Sequence, residues 1–120
     1  METKLKEYQA LKYNKDNKFG LVFDTLNTEL EGGLGVKELA MVVAPPGVGK
    51  SLYLVNQGVQ ALMENKNVLY ISLEMSEDRI ASRFDSVMTL IPQKKLKNSV
   101  SLLQKRLDIF KNKFKWEAWI

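Results

Sequence analysis

Eight consecutive residues have types and spacing suited to one kind of chemistry: Ala44, Pro45, Pro46, Gly47, Val48, Gly49, Lys50 and Ser51. A triphosphate brings several negative charges that must be met without crowding. Gly47 and Gly49 leave the main chain free to curl, so that its N–H groups can face the phosphates. A helix beginning at the end of the loop adds its unpaired N–H groups and the positive end of its dipole. Lys50 is then placed to reach the β and γ phosphates as a point charge, and the Ser51 hydroxyl to ligand Mg²⁺. The strict form of this pattern begins with Gly; Ala44 stands there instead, which is acceptable if its backbone dihedrals are ordinary. Pro45 and Pro46 stiffen the entry and lower the entropy lost on ordering the loop. A chance Gly-x-Gly-Lys-Ser in a turn is the plain alternative, and the flanking elements argue against it.

Those elements are a β-type run and a helix. Residues 39–43 are continuously apolar and predict a strand entering the loop. Residues 51–64 predict a helix leaving it, with Leu52, Val55, Val59 and Leu62 on one face, closed by Asn65, Lys66 and Asn67. Residues 68–73 read as a second, almost wholly apolar strand, of the kind covered on both faces in a parallel sheet. Strand, loop, helix and strand make one right-handed βαβ unit. Ligands of open α/β sheets lie outside the carboxyl ends of strands, so Glu74, just past the second strand, shares the loop's edge. A carboxylate there can orient or deprotonate a water that attacks the γ-phosphate. It can equally pair with a surface lysine or cap the next helix.

The rest of the chain reads as helix and connection. Leu5, Tyr8 and Leu11 suggest a weak helix over residues 2–13, and residues 14–17 a polar turn. Residues 19–30 are apolar enough to dock on a core, and residues 31–35 are a Gly-rich turn. Ser76 suits an N-cap, with Glu77 and Asp78 in the first turn of a helix carrying Ile80, Phe84, Val87 and Ile91 and ending at Pro92. A last helix over residues 99–113 carries Leu103, Leu107, Phe110 and Phe114.

Composition sets bounds. With 120 residues, 45% of them hydrophobic, one small domain with a usable core is expected. The absence of cysteine and histidine rules out disulfides and thiolate or imidazole metal sites and suits a reducing cytoplasm. No apolar run is long enough to span a membrane, and the first residues lack a signal-peptide pattern. The net charge of +4 is concentrated at the end: residues 93–120 hold 8 basic and 2 acidic groups. Phosphate contacts to nucleic acid are one use of that charge; a solvated lysine-rich helix face is the simpler one.

Gly32, Gly33, Leu34 and Gly35, then Glu38 and Leu39, then the loop 44–51, then Ser72, Leu73, Glu74, Met75 and Ser76 together resemble the RecA-like ATPase core of DnaB-type replicative DNA helicases, bacteriophage members above all. The loop is common to many ATPases; the Ser-Leu-Glu-Met-Ser run is far more specific. The resemblance implies an α/β, RecA-like P-loop NTPase fold, here a partial parallel sheet with flanking helices. It implies residues 1–20 as an N-terminal linker or helix and residues 21–120 as the N-terminal portion of the ATPase domain. It implies ATP and Mg²⁺ as ligands, with Lys50 on phosphate, Ser51 on Mg²⁺ and Glu74 activating water. It also implies a homo-hexamer around single-stranded DNA, in the cytoplasm of a bacterium or phage-infected host.

The family core continues for roughly a hundred residues past this sequence. That part carries the Mg²⁺-linked aspartate of the Walker B strand, a γ-phosphate sensor, DNA-binding loops and an arginine finger. Asp85 and Asp108 fall in helix-type segments and do not replace that aspartate. The expectation is therefore ATP binding with negligible turnover by the chain alone, and a marginal or self-associating fold, because two core strands leave a sheet with open edges. Two other readings stand beside it: a recombinase- or clock-type ATPase, and a non-enzymatic interaction fragment of a helicase ring.

Overall fold

The computed structural model describes residues 1–13 and 18–114, with side chains for 1–7 and 18–114. The polar turn expected at residues 14–17 and the segment after Phe114 lie outside the described residues. The chain divides into two compact units, Met1–Met41 and Val42–Ile120.

In the first unit, helix α1 runs Glu2–Tyr13, as its weak apolar repeat suggested. Strands β1 (Lys18–Phe19) and β2 (Leu34–Gly35) pair antiparallel, Lys18 opposite Gly35 and Phe19 opposite Leu34. Between them lies the short helix α2, Asp24–Glu29. The side-chain amide of Asn27 acts as an extra strand partner. Its Oδ1 accepts from the Leu21 N–H at 2.6 Å and its Nδ2 donates to the Leu21 carbonyl at 2.8 Å. Lys18 Nζ donates to the Leu30 carbonyl at 2.8 Å, closing the end of α2. The Gly-rich turn has a specific need for glycine at Gly33. Its φ is +109°, and a Cβ there would lie within contact distance of the Phe19 carbonyl, 2.8 Å from its carbon. Residues 19–30 do not dock as a block: Leu21 is buried, while Phe23, Leu26 and Leu30 remain exposed.

The second unit is helical. Helix α3 (Lys50–Met63), helix α4 (Glu77–Thr89), a 3₁₀ segment (Gln93–Asn98) and helix α5 (Val100–Phe114) pack around Val59, Leu62 and Phe110. Val68, Phe84, Val87, Met88 and Phe114 pack against that cluster. Gly58 lets α4 approach α3, since a Cβ on it would come 2.8 Å from Cζ of Phe84. On the expected stripe of α3, Val55, Val59 and Leu62 are buried, but Leu52 faces outward. Helix α4 ends at Thr89 rather than at Pro92, because Leu90 turns left-handed with φ +56°. Arg106 Nη1 then donates to the Thr89 carbonyl at 2.6 Å and Ser86 Oγ to the Ile91 carbonyl at 2.7 Å, satisfying the carbonyls at that end.

The expected parallel sheet is not formed. Among the described residues the one sheet is the two-stranded antiparallel β1–β2 pair, and residues 39–43 and 68–73 lie in no ladder. The reason is physical: a strand is completed by hydrogen bonds to a neighbour, and among the described residues neither run has one. The side chains nevertheless alternate as in a strand. Leu69, Ile71 and Leu73 are 85%, 75% and 102% exposed, while Val68, Tyr70 and Ser72 are half-buried. Val68 meets the core cluster and Tyr70 stacks edge-on against Phe84, with ring centroids 5.6 Å apart. Residues 68–73 thus have one face on the helices and the other in solvent.

Candidate nucleotide site

The loop 44–51 leads directly into α3. Gly47 and Gly49 have φ of +79° and +104°, which L side chains rarely adopt, and no atom lies within 4 Å of a Cβ built on either. Glycine is required here by the backbone, and the space beside it is open. Ala44 is not among the residues with positive φ, so the departure from Gly costs the loop nothing. Gly49 is the N-cap of α3, and the first bond of the helix runs from the Tyr53 N–H to the Gly49 carbonyl at 2.9 Å. The N–H groups of Lys50, Ser51 and Leu52 therefore have no intrahelical acceptor. They form, with the dipole of a 14-residue helix, a patch that favours anions.

Lys50 crosses the loop. Its Nζ donates to the Ala44 carbonyl at 2.7 Å and to the Pro45 carbonyl at 3.2 Å. Two charge-assisted bonds to the loop's entry hold its curvature and keep the ammonium at its mouth. Ser51 is half-buried in the first turn of α3. Loop curvature, open glycines, a tethered cation and a hydroxyl beside free N–H groups fit a polyphosphate with a bound divalent ion. Among the described residues no group of three or more acidic, cysteine or histidine side chains could cage a metal. A single hydroxyl suits Mg²⁺, which keeps its waters and is held largely through substrate phosphates.

Glu74 is exposed in the bend after residues 68–73. Among the described residues its carboxylate has no ion pair and caps no helix, and no hydrogen bond joins it to the loop. Ser76 occupies the N-cap position of α4 with extended dihedrals, but its hydroxyl makes no capping bond. The hydroxyl that organises this bend is Ser72, whose Oγ accepts from the Met75 N–H at 3.0 Å and the Glu74 N–H at 3.4 Å. The sequence signal for that role is weak, since a serine hydroxyl can bond the backbone N–H two residues on whatever residue stands there. Glu38 has a structural task as well: its Oε2 accepts from the Gly35 N–H at 2.7 Å and braces the Gly-rich turn.

Asp85 and Asp108 lie in α4 and α5, and burial pushes the Asp85 carboxyl above its ordinary range. Of the basic end, Lys94, Lys95, Lys97 and Lys105 are exposed, whereas Arg106 holds the end of α4. Among the described residues no helix is long and apolar enough to cross a membrane.

A family model described as the DnaB-like helicase C terminal domain matches residues 21–116. A DnaB-like replicative helicase of Enterobacteria phage T4 is 39% identical over 85 residues, which is 68% of this chain and 18% of that protein. The chain thus spans under a fifth of the curated relative it matches. No solved structure matches.

Proposed function

The chain belongs to the DnaB-like helicase C-terminal domain family, and on that premise we propose that it is the ATP-binding portion of a replicative DNA helicase. The observation that carries this reading is the loop 44–51, with two left-handed glycines and Lys50 bonded back to Ala44 and Pro45 at the start of α3. Ala44, Pro45 and Pro46 shape the entry of the loop, and the N–H groups of Gly47, Val48 and Gly49 cradle the α and β phosphates. Lys50 neutralises the β and γ phosphates, and Ser51 donates its oxygen to Mg²⁺. When bound, Mg²⁺ offsets charge on the phosphate oxygens. Glu74 orients the attacking water and receives its proton.

In a full-length setting the same reading gives a homo-hexamer around single-stranded DNA, with ATP hydrolysis driving unwinding. Hydrolysis needs several charges placed together, and an arginine finger alone contributes about 10³–10⁵ in rate. The residues named here bind ATP; they do not by themselves make a motor. The family assignment favours the helicase over a recombinase- or clock-type ATPase.

Calorimetric titration of the 120-residue chain with Mg-ATP tests this. Lys50→Ala removes charged hydrogen bonds worth about 1.5–3 kcal/mol, so affinity falls roughly 10- to 150-fold. Glu74→Gln leaves affinity unchanged. Equal affinity of wild type and Lys50→Ala would refute the site.

A further inference from the structure

Ser72 lies outside the phosphate loop, yet its side chain governs the backbone of Glu74. Its Oγ accepts from the N–H groups of Glu74 and Met75, at 3.4 and 3.0 Å. Those two amides belong to the peptide planes on either side of the Glu74 Cα. An oxygen that holds both planes restricts φ and ψ of Glu74 together, and with them the direction of its Cα–Cβ bond.

Ser72 is also an anchored residue within an exposed bend. It is half-buried, on the same alternating face as Val68 and Tyr70, while Leu73 and Glu74 face solvent. Val68 packs on the Val59, Leu62 and Phe110 cluster, and Tyr70 meets Phe84. The order of the core thus extends along one face to Ser72 and is passed by hydrogen bonds to the acid. The Ser76 hydroxyl, the other candidate for this task, makes no capping bond.

We infer that Ser72 is a positioning residue that aims Glu74 through its two flanking amides. The inference rests on the proposed role of Glu74 toward water. Its chemical requirement is a hydroxyl oxygen at this position, which threonine keeps and alanine lacks.

The test uses the whole chain with Mg-ATP and the variants Ser72→Ala and Ser72→Thr. In Ser72→Ala, amide exchange at Met75 speeds about three- to tenfold, the range for losing one hydrogen bond. The Glu74 HN–Hα coupling moves toward a conformational average. Both return to wild-type values in Ser72→Thr, while ATP affinity stays the same in all three proteins because the loop is untouched. Unchanged exchange and coupling in Ser72→Ala, or no recovery with threonine, overturns the inference. Single-turnover hydrolysis of labelled ATP, followed over hours with protein in excess so that the slow rate of the chain alone is read above that of buffer, separates it from the reading it rests on. A rate lowered by Glu74→Gln but not by Ser72→Ala overturns the role of Ser72 alone. A rate indifferent to Glu74→Gln removes the catalytic role of Glu74, and the Met75 exchange still decides whether Ser72 holds the bend.

Discussion

Gly33 and Gly49 have nearly the same backbone angle, φ +109° and +104°, in different surroundings, so one substitution made at both separates two costs. Alanine at either site pays for a positive φ, about 1–3 kcal/mol. At Gly49 that is all, because no atom lies within 4 Å of the added carbon. At Gly33 the carbon also meets the carbonyl of Phe19 and lies 3.1 Å from the Gly20 Cα, all backbone at the end of β1 and just beyond it. A backbone carbonyl cannot rotate out of the way as a side chain can. The strand must withdraw, and a ladder of two residue pairs has few bonds of its own to resist that. Losing its bonds adds about 0.5–1.5 kcal/mol each to the φ cost, so Gly33→Ala costs more than Gly49→Ala and the pairing opens. Amide exchange reads this directly. In Gly33→Ala the Leu21 and Gly35 amides, held by Asn27 and Glu38 in the wild type, exchange as in an unstructured peptide. In Gly49→Ala those amides keep their protection, and ATP affinity falls by about 5- to 150-fold, the φ cost expressed at the loop. Protection of Leu21 surviving in Gly33→Ala, or an equal loss in both variants, would refute the steric argument.

Two further predictions concern α4. Burial raises the Asp85 pKa above 3.8, so the fold favours the neutral acid. Its contribution is fully present below pH 3.8 and is lost as pH rises through the raised value. Asp85→Asn should therefore stabilise the fold at pH 7, by less than about 1 kcal/mol given the group's partial exposure, seen as a higher melting temperature, and the gain should vanish as pH falls toward 3.8. Leu90 holds a left-handed cap at φ +56°, which costs an L residue about 1–2 kcal/mol. Leu90→Gly relieves it, less the extra freedom of glycine in the unfolded chain, and melting should rise by about 2–6 °C; a fall would show that the exposed leucine side chain matters more than its backbone.

The parts of this chain that depend on neighbours in sequence were legible before the structure. Helix α3 begins one residue before the expected start, at Lys50, and α5 differs from expectation by one residue at each end. The loop's glycines have the positive φ that their type suggested, and Ala44 the ordinary angle it needed. What was not legible depends on distant partners. Residues 68–73 show the period of a strand in their burial, yet pairing is a property of two segments, and periodicity describes one. Helix α4 stops at Thr89 although Pro92 was the visible signal, because a leucine takes the conformation usually left to glycine. The Ser72 bend was missed because Ser76 had the expected cap position, and position says nothing of which hydroxyl finds an N–H.

The two apolar runs that have no strand partner among the described residues carry a cost in concentrated solution. Leu39, Met41 and Val43 are as exposed as Leu69, Ile71 and Leu73, and both runs are β-prone, uncharged and free of proline. Such segments template their own kind. Purified chain should therefore sediment as larger species as its concentration rises, and the melting temperature should drift with concentration and scan rate. Lysine at Leu69 and Ile71, which point away from the helices, would put charge on the sticky face without touching the core. What limits work with this protein in the tube is thus colloidal, set by those six exposed side chains.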